Sequence, residues 1–123
     1  MYITVNGVNY ELSTKLGTGK KIEARFKKSI SEIFGELGSA LSDELLDMIL
    51  IAAGKTGDKA FVAEIDENWD FSDLFGAGQE LVANLMYSGT PEQVEAKIEK
   101  HAGSDEQKNA LRKLLRLPNP AAE

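Results

Sequence analysis

The sequence predicts a mainly α-helical fold, a small domain of about five to six helices with an N-terminal β-hairpin. Three stretches support this prediction: an alternating segment around Asn6-Gly7, an apolar run at residues 42–53 with boundary signals at both ends, and two capping boxes in the last third of the chain. In each stretch the residue pattern agrees with a local start, stop or turn signal. We predict one domain at residues 1–117 and a frayed tail at residues 118–123.

Composition limits the classes of protein to which this chain can belong. Its 123 residues can bury one modest core, and the absence of cysteine excludes disulfides and thiolate chemistry. The net charge is −6, the reverse of the basic footprint expected for nucleic-acid binding. The first 30 residues nevertheless carry a net charge of +4, so the remainder carries −10. This basic block is either a solvated helix face or a surface for an acidic partner, including the chain's own acidic half.

Membrane and export signals are not recognisable in the sequence. The first residues, MYITVNGV, lack the charged and apolar regions of a signal peptide. No apolar run approaches the length of about 20 residues that a transmembrane helix needs. We therefore expect a cytoplasmic protein.

The first predicted element is a β-hairpin at residues 1–13. Two short β-rich runs, at residues 2–5 and 8–12, flank Asn6-Gly7. This dipeptide suits a type I′ turn because both central residues of that turn have positive φ. An isolated two-stranded hairpin is marginal in water, so we expect it to lie on the helices or to extend a sheet of another subunit.

A helical stripe is predicted after a glycine-containing joint at residues 16–19. The stripe continues to Gly38, and its apolar positions are Ile22, Phe26, Ile30, Ile33 or Phe34, and Leu37. Ser29-Ile30-Ser31-Glu32 forms a capping box within it. We therefore predict two helices that meet near residue 29.

The segment SDELLDMILIAA, at residues 42–53, is the predicted central helix. Ser42 is the candidate N-cap, the first turn is acidic, as the helix dipole favours, and Gly54 ends the helix. Almost no polar residue follows Asp47. The helix must therefore be covered on most sides, by this chain or partly by another subunit.

Two further helices are predicted between residues 59 and 89. The apolar positions of the first are Phe61, Val62, Ile65 and Trp69. Their spacing favours a helix, although alternate residues of 59–66 could equally line one face of a strand. Ser72 is the candidate N-cap of the second helix, which ends at Ser88-Gly89. Small residues at 76–78 would allow another helix to approach closely.

The last third of the chain contains two predicted helices of about 11 residues each. Thr90-Pro91-Glu92-Gln93 and Ser104-Asp105-Glu106-Gln107 are the capping boxes that open them. The residues predicted to face inward are Val94, Ile98, Leu111, Leu114 and Leu115.

Catalytic chemistry is poorly supported, so we predict a non-enzymatic protein without a cofactor. His101 is the only histidine, and its simplest role is a favourable interaction with a helix C-terminus. Gly17-Thr18-Gly19-Lys20 lacks both the upstream glycine and the following serine or threonine of a phosphate-binding loop.

A metal site is also poorly supported. Residues 66–70, DENWD, resemble the start of an EF-hand loop, but Phe71 and Ala77 occupy the positions at which such loops carry glycine and glutamate. The alternative is an acidic turn in which Trp69, Phe71 and Phe75 point inward. Zinc would require several cysteine or histidine ligands, and the chain has one histidine.

The order of parts resembles the tail assembly chaperones of long-tailed bacteriophages and prophages, particularly those of Gram-positive hosts. The resembling stretches are YITVNGVNYEL at residues 2–12, LGTGKKIEARF at 16–26, LLDMILIAAG at 45–54, and a further helix that ends in Tyr87-Ser88-Gly89. Together they extend over about the first 90 residues. The pair of C-terminal capping boxes lies outside the resemblance.

The resemblance implies a protein that coats the tape measure protein while tail tube subunits polymerise around it. The tape measure protein is then the expected partner, the tail tube protein is a further candidate, and self-association into a homo-oligomer is expected. Nucleic acid and membranes are not expected partners. A longer form made by ribosomal frameshifting is common in such families. The resemblance implies no catalytic residue.

Partner contacts are predicted on apolar helix faces, at Ile22, Phe26, Ile30, Phe34, Met48, Ile51 and Met86. The methionines are included because their side chains adapt to irregular surfaces. Core packing is the alternative role for each residue. Two other functions stay open: a phage structural protein such as a head–tail connector or completion protein, and a small regulatory adaptor.

Overall fold

The computed structural model describes residues 1–101 and 103–117. In this part of the chain an antiparallel hairpin precedes seven α-helices. The elements are β1 (Tyr2–Val5), β2 (Val8–Glu11), α1 (Leu16–Phe26), α2 (Ile30–Glu36), α3 (Ser42–Ala53), α4 (Lys59–Asn68), α5 (Phe71–Met86), α6 (Pro91–His101) and α7 (Asp105–Leu114). The predicted fold class is confirmed. The predicted tail at 118–123 lies outside the described residues.

The hairpin packs on the helices through one face of β1. Asn6 and Gly7 have φ angles of 50° and 75°, as a type I′ turn requires. Every second residue of β1 is buried, which is the period of a strand with one covered face. The Nε1–H of Trp69 donates to the carbonyl oxygen of Thr4 at 3.0 Å. Helices of the same chain therefore cover the hairpin, the first of the two arrangements expected.

Residues 16–19 form the first turn of α1, so the prediction of a glycine-containing joint is wrong. Lys15 occupies the N-cap position, and Gly19 is already buried. A Cβ atom at Gly19 would lie 3.7 Å from Cδ2 of Leu85, which places this turn against α5. Tertiary packing therefore outweighs the low helix propensity of the two glycines.

The predicted break near residue 29 is confirmed. Lys27 ends α1 in the left-handed conformation, with φ of 55°, and Ser29 opens α2 with a capping box. The Glu32 N–H donates to Oγ of Ser29 at 3.1 Å. A 3-10 turn, Leu37–Ser39, follows α2.

Helix α3 lies at the centre of the main core, the cluster of buried side chains contributed chiefly by β1 and α1–α5. Its bounds are those predicted, and Gly54 ends it with φ of 67°. The predicted N-cap is wrong, since Leu41 occupies that position and Ser42 is already helical. Glu44 supports this helix start, because its Oε1 accepts the Leu41 N–H at 3.1 Å.

Residues 59–66 are helical, as predicted. The α4 helix is capped by Asp58, whose Oδ1 accepts the Phe61 N–H at 3.0 Å. Helix α5 begins earlier than predicted because Asp70, and not Ser72, is its N-cap. The Asp73 N–H donates to Oδ1 of Asp70 at 2.8 Å.

The start of α5 is less covered than its sequence pattern predicts. Phe71 is 79% exposed and Phe75 is 37% exposed, so the predicted inward orientation is wrong for both. Trp69 is half-buried against the main core. Within the described residues, no element lies over the outer side of Phe71.

Helices α3 and α5 approach closely at Gly78. A Cβ atom at this position would lie 2.9 Å from Cδ2 of Leu45, closer than real Cβ contacts. The predicted close approach is thus confirmed at Gly78. Gly76 has no neighbour within 4 Å of such a Cβ, so this glycine has no packing role.

Both C-terminal capping boxes form as predicted. The Gln93 N–H donates to Oγ1 of Thr90 at 3.2 Å, and the Gln107 N–H donates to Oγ of Ser104 at the same distance. Helices α6 and α7 then enclose a second cluster of buried residues: Tyr87, Val94, Ile98 and Leu111. The predicted role of the His101 side chain lies outside what the structure describes. Across the described residues, none of the helices combines the length and hydropathy needed to cross a membrane.

Candidate functional site

A groove of about 750 Å³ lies between α2, α5 and α7. We call it the central groove. Its apolar lining is contributed by Phe34, Tyr87, Ala110, Leu111 and Leu114. Apolar area that is half covered in this way is a common feature of binding sites.

Polar side chains surround the apolar lining. They are Gln79 and Glu80 on α5, and Gln107, Lys113 and Arg116 in or after α7. Nε of Arg116 lies 3.4 Å from Oε1 of Glu80, but the arginine side chain is 77% exposed. An ion pair this exposed contributes little stability. The pair can therefore separate at low cost when a ligand enters.

The wall formed by α7 is positioned mainly by Arg112. Its Nε donates to both carboxylate oxygens of Glu95 at 2.9 and 3.0 Å, and its Nη1 donates to Oδ1 of Asn109 at 2.8 Å. Nζ of Lys108 donates to Oε2 of Glu99 at 3.0 Å. The bonds to Glu95 and Glu99 join α6 to α7, and the bond to Asn109 lies within α7. In the described residues no buried side-chain nitrogen or oxygen is left without a partner.

The same contacts shift two pKa values. The hydrogen bond from Arg112 to Glu95 raises the pKa of the guanidinium above its ordinary value. Hydrogen bonds from Lys108 and Arg112 hold the pKa of Glu99 below its usual 4.5. Both groups are therefore charged near neutral pH, and their role is structural.

Two of the predicted contact residues are enclosed in the main core. Ile22 is 0% exposed and Met48 is 2% exposed, so in this conformation neither offers surface to a partner. Core packing, the alternative role, describes both. Phe26, Ile30 and Ile51 are half-buried against the same core. The guanidinium carbon of Arg25 lies 5.2 Å from the centre of the Phe26 ring and covers part of it.

The structure brings two of the predicted contact residues to the second cluster. Phe34 and Met86 both pack against it, and Phe34 also lines the central groove. Sequence reasoning did not select Tyr87, Ala110 or Leu114 as binding residues. A useful signal was present, because Leu114 belongs to a stripe predicted to face inward and is only half-buried.

Two polar residues of the acidic turn before α5 are engaged in local hydrogen bonds. Nδ2 of Asn68 donates to the Glu64 carbonyl oxygen at 2.8 Å, and Asp70 is engaged as the cap of α5. No group of three or more potential metal ligands was found among residues 1–101 and 103–117. The central groove also shows no pairing of a nucleophile with a base in its lining.

Comparisons with known proteins give no assignment: no family model, curated protein or solved structure matches the chain. The resemblance to tail assembly chaperones therefore stays a prediction from the sequence.

Proposed function

We propose that this protein is a non-enzymatic tail assembly chaperone of a long-tailed phage or prophage, and that it binds the tape measure protein in the host cytoplasm. The central groove is the observation on which the proposal rests. It offers apolar surface between three helices with polar groups around it, which is the arrangement used to bind an amphipathic helix.

The charges around the central groove define the expected ligand further. Glu80 lies on α5, and Lys113 and Arg116 lie in and just after α7. A ligand helix with an apolar stripe and charges of both signs beside it would satisfy this surface. Long helical proteins such as tape measure proteins expose such stripes until they are covered, and they aggregate if the stripes stay bare.

The acidic composition supports the chaperone role. A net charge of −6 on the free protein opposes nonspecific association, while the local apolar groove still permits specific binding. The tail tube protein is a further candidate partner in the same assembly.

Affinity purification of the tagged protein from cells that are assembling tails would test the proposal. We expect mass spectrometry to identify a very long, helix-rich tape measure protein. A portal, connector or capsid protein would instead support the structural connector function, and these two functions also differ in whether the protein remains in purified virions. Recovery of a single host protein would support a regulatory adaptor and would overturn the phage assignment.

The substitution Ala110→Arg tests the groove directly. Ala110 is exposed on α7 and lines the groove, so a long charged side chain fills the site while α7 keeps a good helix former. We expect recovery of the partner to fall by about tenfold or more, equivalent to about 1.4 kcal/mol. Ala63→Arg, at an exposed position of α4 away from the groove, is the matched control. Equal recovery with both variants, each with native circular dichroism, would exclude the groove.

A further inference from the structure

We propose that a groove at the start of α5 is a second docking site of this protein, and that it binds a basic amphipathic helix of another protein. The groove lies between α3, α4 and α5, and we call it the acidic groove. It shares no lining residue with the central groove, so binding here is independent of the proposed function.

The acidic groove offers apolar surface that is formed before a ligand arrives. Its volume is about 460 Å³, and Leu46, Ile65 and Leu74 line it from the three helices. All three side chains belong to the main core or pack against it. Trp69 also lines the groove, and its indole N–H is held by the carbonyl oxygen of Thr4. Little affinity is therefore lost in ordering this surface when a ligand binds.

One side of the acidic groove is an uncovered aromatic side chain. Phe71 is 79% exposed, the largest exposed fraction of any large hydrophobic residue in the described part of the chain. An apolar side chain of a partner would remove area of this ring from water. The face of the ring also attracts the cationic group of a lysine or arginine.

The charged part of the lining is entirely negative. Asp43, Asp66 and Asp70 line the groove, and no lysine or arginine does. Among residues 1–101 and 103–117, none of these three carboxylates forms a salt bridge. The complementary ligand therefore carries positive charges beside its apolar side chains.

The helices themselves favour two of these aspartates but not the third. Asp43 lies in the first turn of α3 and Asp70 caps α5, where the helix dipole stabilises negative charge. Asp66 lies in the last turn of α4, where the dipole disfavours it, and that turn contains no basic residue. The exposed Glu67 beside it adds to the same negative potential. A cationic partner would relieve this unfavourable arrangement.

The shape of the site indicates a helix of another protein as the occupant. Every lining residue lies in α3, α4 or α5 or between the last two, so no strand edge is available for main-chain pairing. A groove between helices suits an amphipathic helix. The basic helix of this chain, α1, already turns its apolar stripe to the main core: Ile22 is 0% exposed and Phe26 is half-buried.

Fluorescence anisotropy of labelled synthetic peptides, titrated with the full-length protein, tests the proposal. The probe is a helix of about 15 residues with leucines on one face and lysines beside them. We expect it to bind, and to bind less tightly as salt screens the charges. One comparison peptide carries glutamate in place of lysine, and a second has the same composition in an order without a helical stripe. Both should bind at least about tenfold more weakly.

Neutral variants of the protein locate the contribution of charge. Asp43→Asn with Asp66→Asn removes two charges with almost no change of shape, and it should weaken binding of the lysine peptide by about tenfold or more. Glu11→Gln with Glu106→Gln makes the same change of net charge at exposed positions outside both grooves. This control should bind the peptide as the native protein does.

Two further variants separate the acidic groove from other apolar surfaces. Phe71→Ala should weaken binding, whereas Leu16→Ala, which removes a side chain that is 77% exposed on α1, should not. Ala110→Arg fills the central groove and should leave the affinity for the lysine peptide unchanged. Loss of binding in Ala110→Arg would place the peptide in the central groove and overturn the proposal.

Three other outcomes would also overturn it. They are absence of binding by the lysine peptide, equal binding of the lysine peptide and either comparison peptide, and unchanged affinity of the Asp43→Asn, Asp66→Asn variant with native circular dichroism. Sedimentation velocity of the protein without peptide tests for the alternative occupant. Self-association that the same two substitutions abolish would assign the groove to a second copy of the chain, contrary to the proposal.

Discussion

The main core and the C-terminal pair of helices are held together by different interactions. Among the described residues, the main core contains seventeen buried side chains, whereas the second cluster contains four. Around the second cluster, polar contacts are correspondingly prominent: two capping boxes and the bonds that Arg112 makes with α6. Burial is the larger source of stability in proteins, while a largely buried ion pair contributes little net stability because desolvation offsets the attraction. The α6–α7 pair should therefore open at a lower free energy than the rest.

The central groove therefore lies between the more stable main core and the less stable α6–α7 pair. Phe34 comes from α2, which packs on the main core, and Leu111 and Leu114 come from α7. A ligand in the groove would contact both regions at once. Binding should then stabilise the α6–α7 pair more than the main core.

The largest expected effect is that of Ile49→Asp. Ile49 is 0% exposed at the centre of α3, and an isolated charge there costs several kcal/mol, comparable with a total stability of about 5–15 kcal/mol. We expect circular dichroism to show an unfolded chain. Leu41→Asp, at an exposed position just before the same helix, should remain folded. A folded Ile49→Asp protein would contradict the placement of α3 in the core.

The substitution with the next largest expected effect, Ile98→Asp, tests whether the α6–α7 pair can unfold separately from the main core. Ile98 is also 0% exposed, but it lies in the second cluster. We expect loss of α6 and α7 with retention of the hairpin and α1–α5. Amide hydrogen exchange resolved by residue would show this as lost protection confined to residues 91–114. Global unfolding would show instead that the two regions form one cooperative unit.

Gly78→Leu should lower the free energy of unfolding by a smaller amount, through a clash in the main core. The added side chain would push against Leu45, and overpacking of this kind costs about 1–3 kcal/mol. Gly76→Leu meets open space two residues away and should be neutral or stabilising by up to about 1 kcal/mol through helix propensity. Chemical denaturation of both variants measures the difference. Equal stabilities would contradict the close packing of α3 on α5.

The smallest effect is a pH dependence of the α6–α7 pair. The pKa of Glu99 is lowered in the folded state by Lys108 and Arg112. This stabilisation is complete above the ordinary pKa of a glutamate and is lost as the pH falls through the lowered folded value. The protection factors for amide hydrogen exchange in α6 and α7, which are corrected for the intrinsic pH dependence of exchange, should fall in acid, and by less in Glu99→Gln than in the native protein. The same acid response in both proteins would exclude Glu99 as a source.

Features that depend on neighbours in sequence were predicted well. The Asn6-Gly7 turn, the capping boxes at Ser29, Thr90 and Ser104, and the bounds of α3 are all encoded within a few residues. One error also has a local cause. Ser72 was predicted to cap α5, but the aspartate two residues before it, Asp70, is the N-cap.

Features that depend on distant parts of the chain were not predictable in the same way. Gly19 is helical partly because α5 lies against it. Phe71 is exposed because no other element of the described chain covers the start of α5. The central groove forms where α2, α5 and α7 contact one another, and the residue pattern of a single helix does not predict which other helices it will contact. Of the predicted contact residues, Phe34 alone lines this groove.

The position of Trp69 makes its intrinsic fluorescence a useful probe of this protein. It is the only tryptophan, and its indole N–H is bonded to the hairpin at Thr4. Trp69 also lines the acidic groove at the start of α5 together with Asp66, Asp70 and Phe71. Indole emission depends on the polarity around the ring. Detachment of the hairpin would expose the ring to water and shift its emission to the red, while an apolar side chain arriving in this groove would shift it to the blue. Unlabelled protein can therefore report two separate events by opposite changes of one signal.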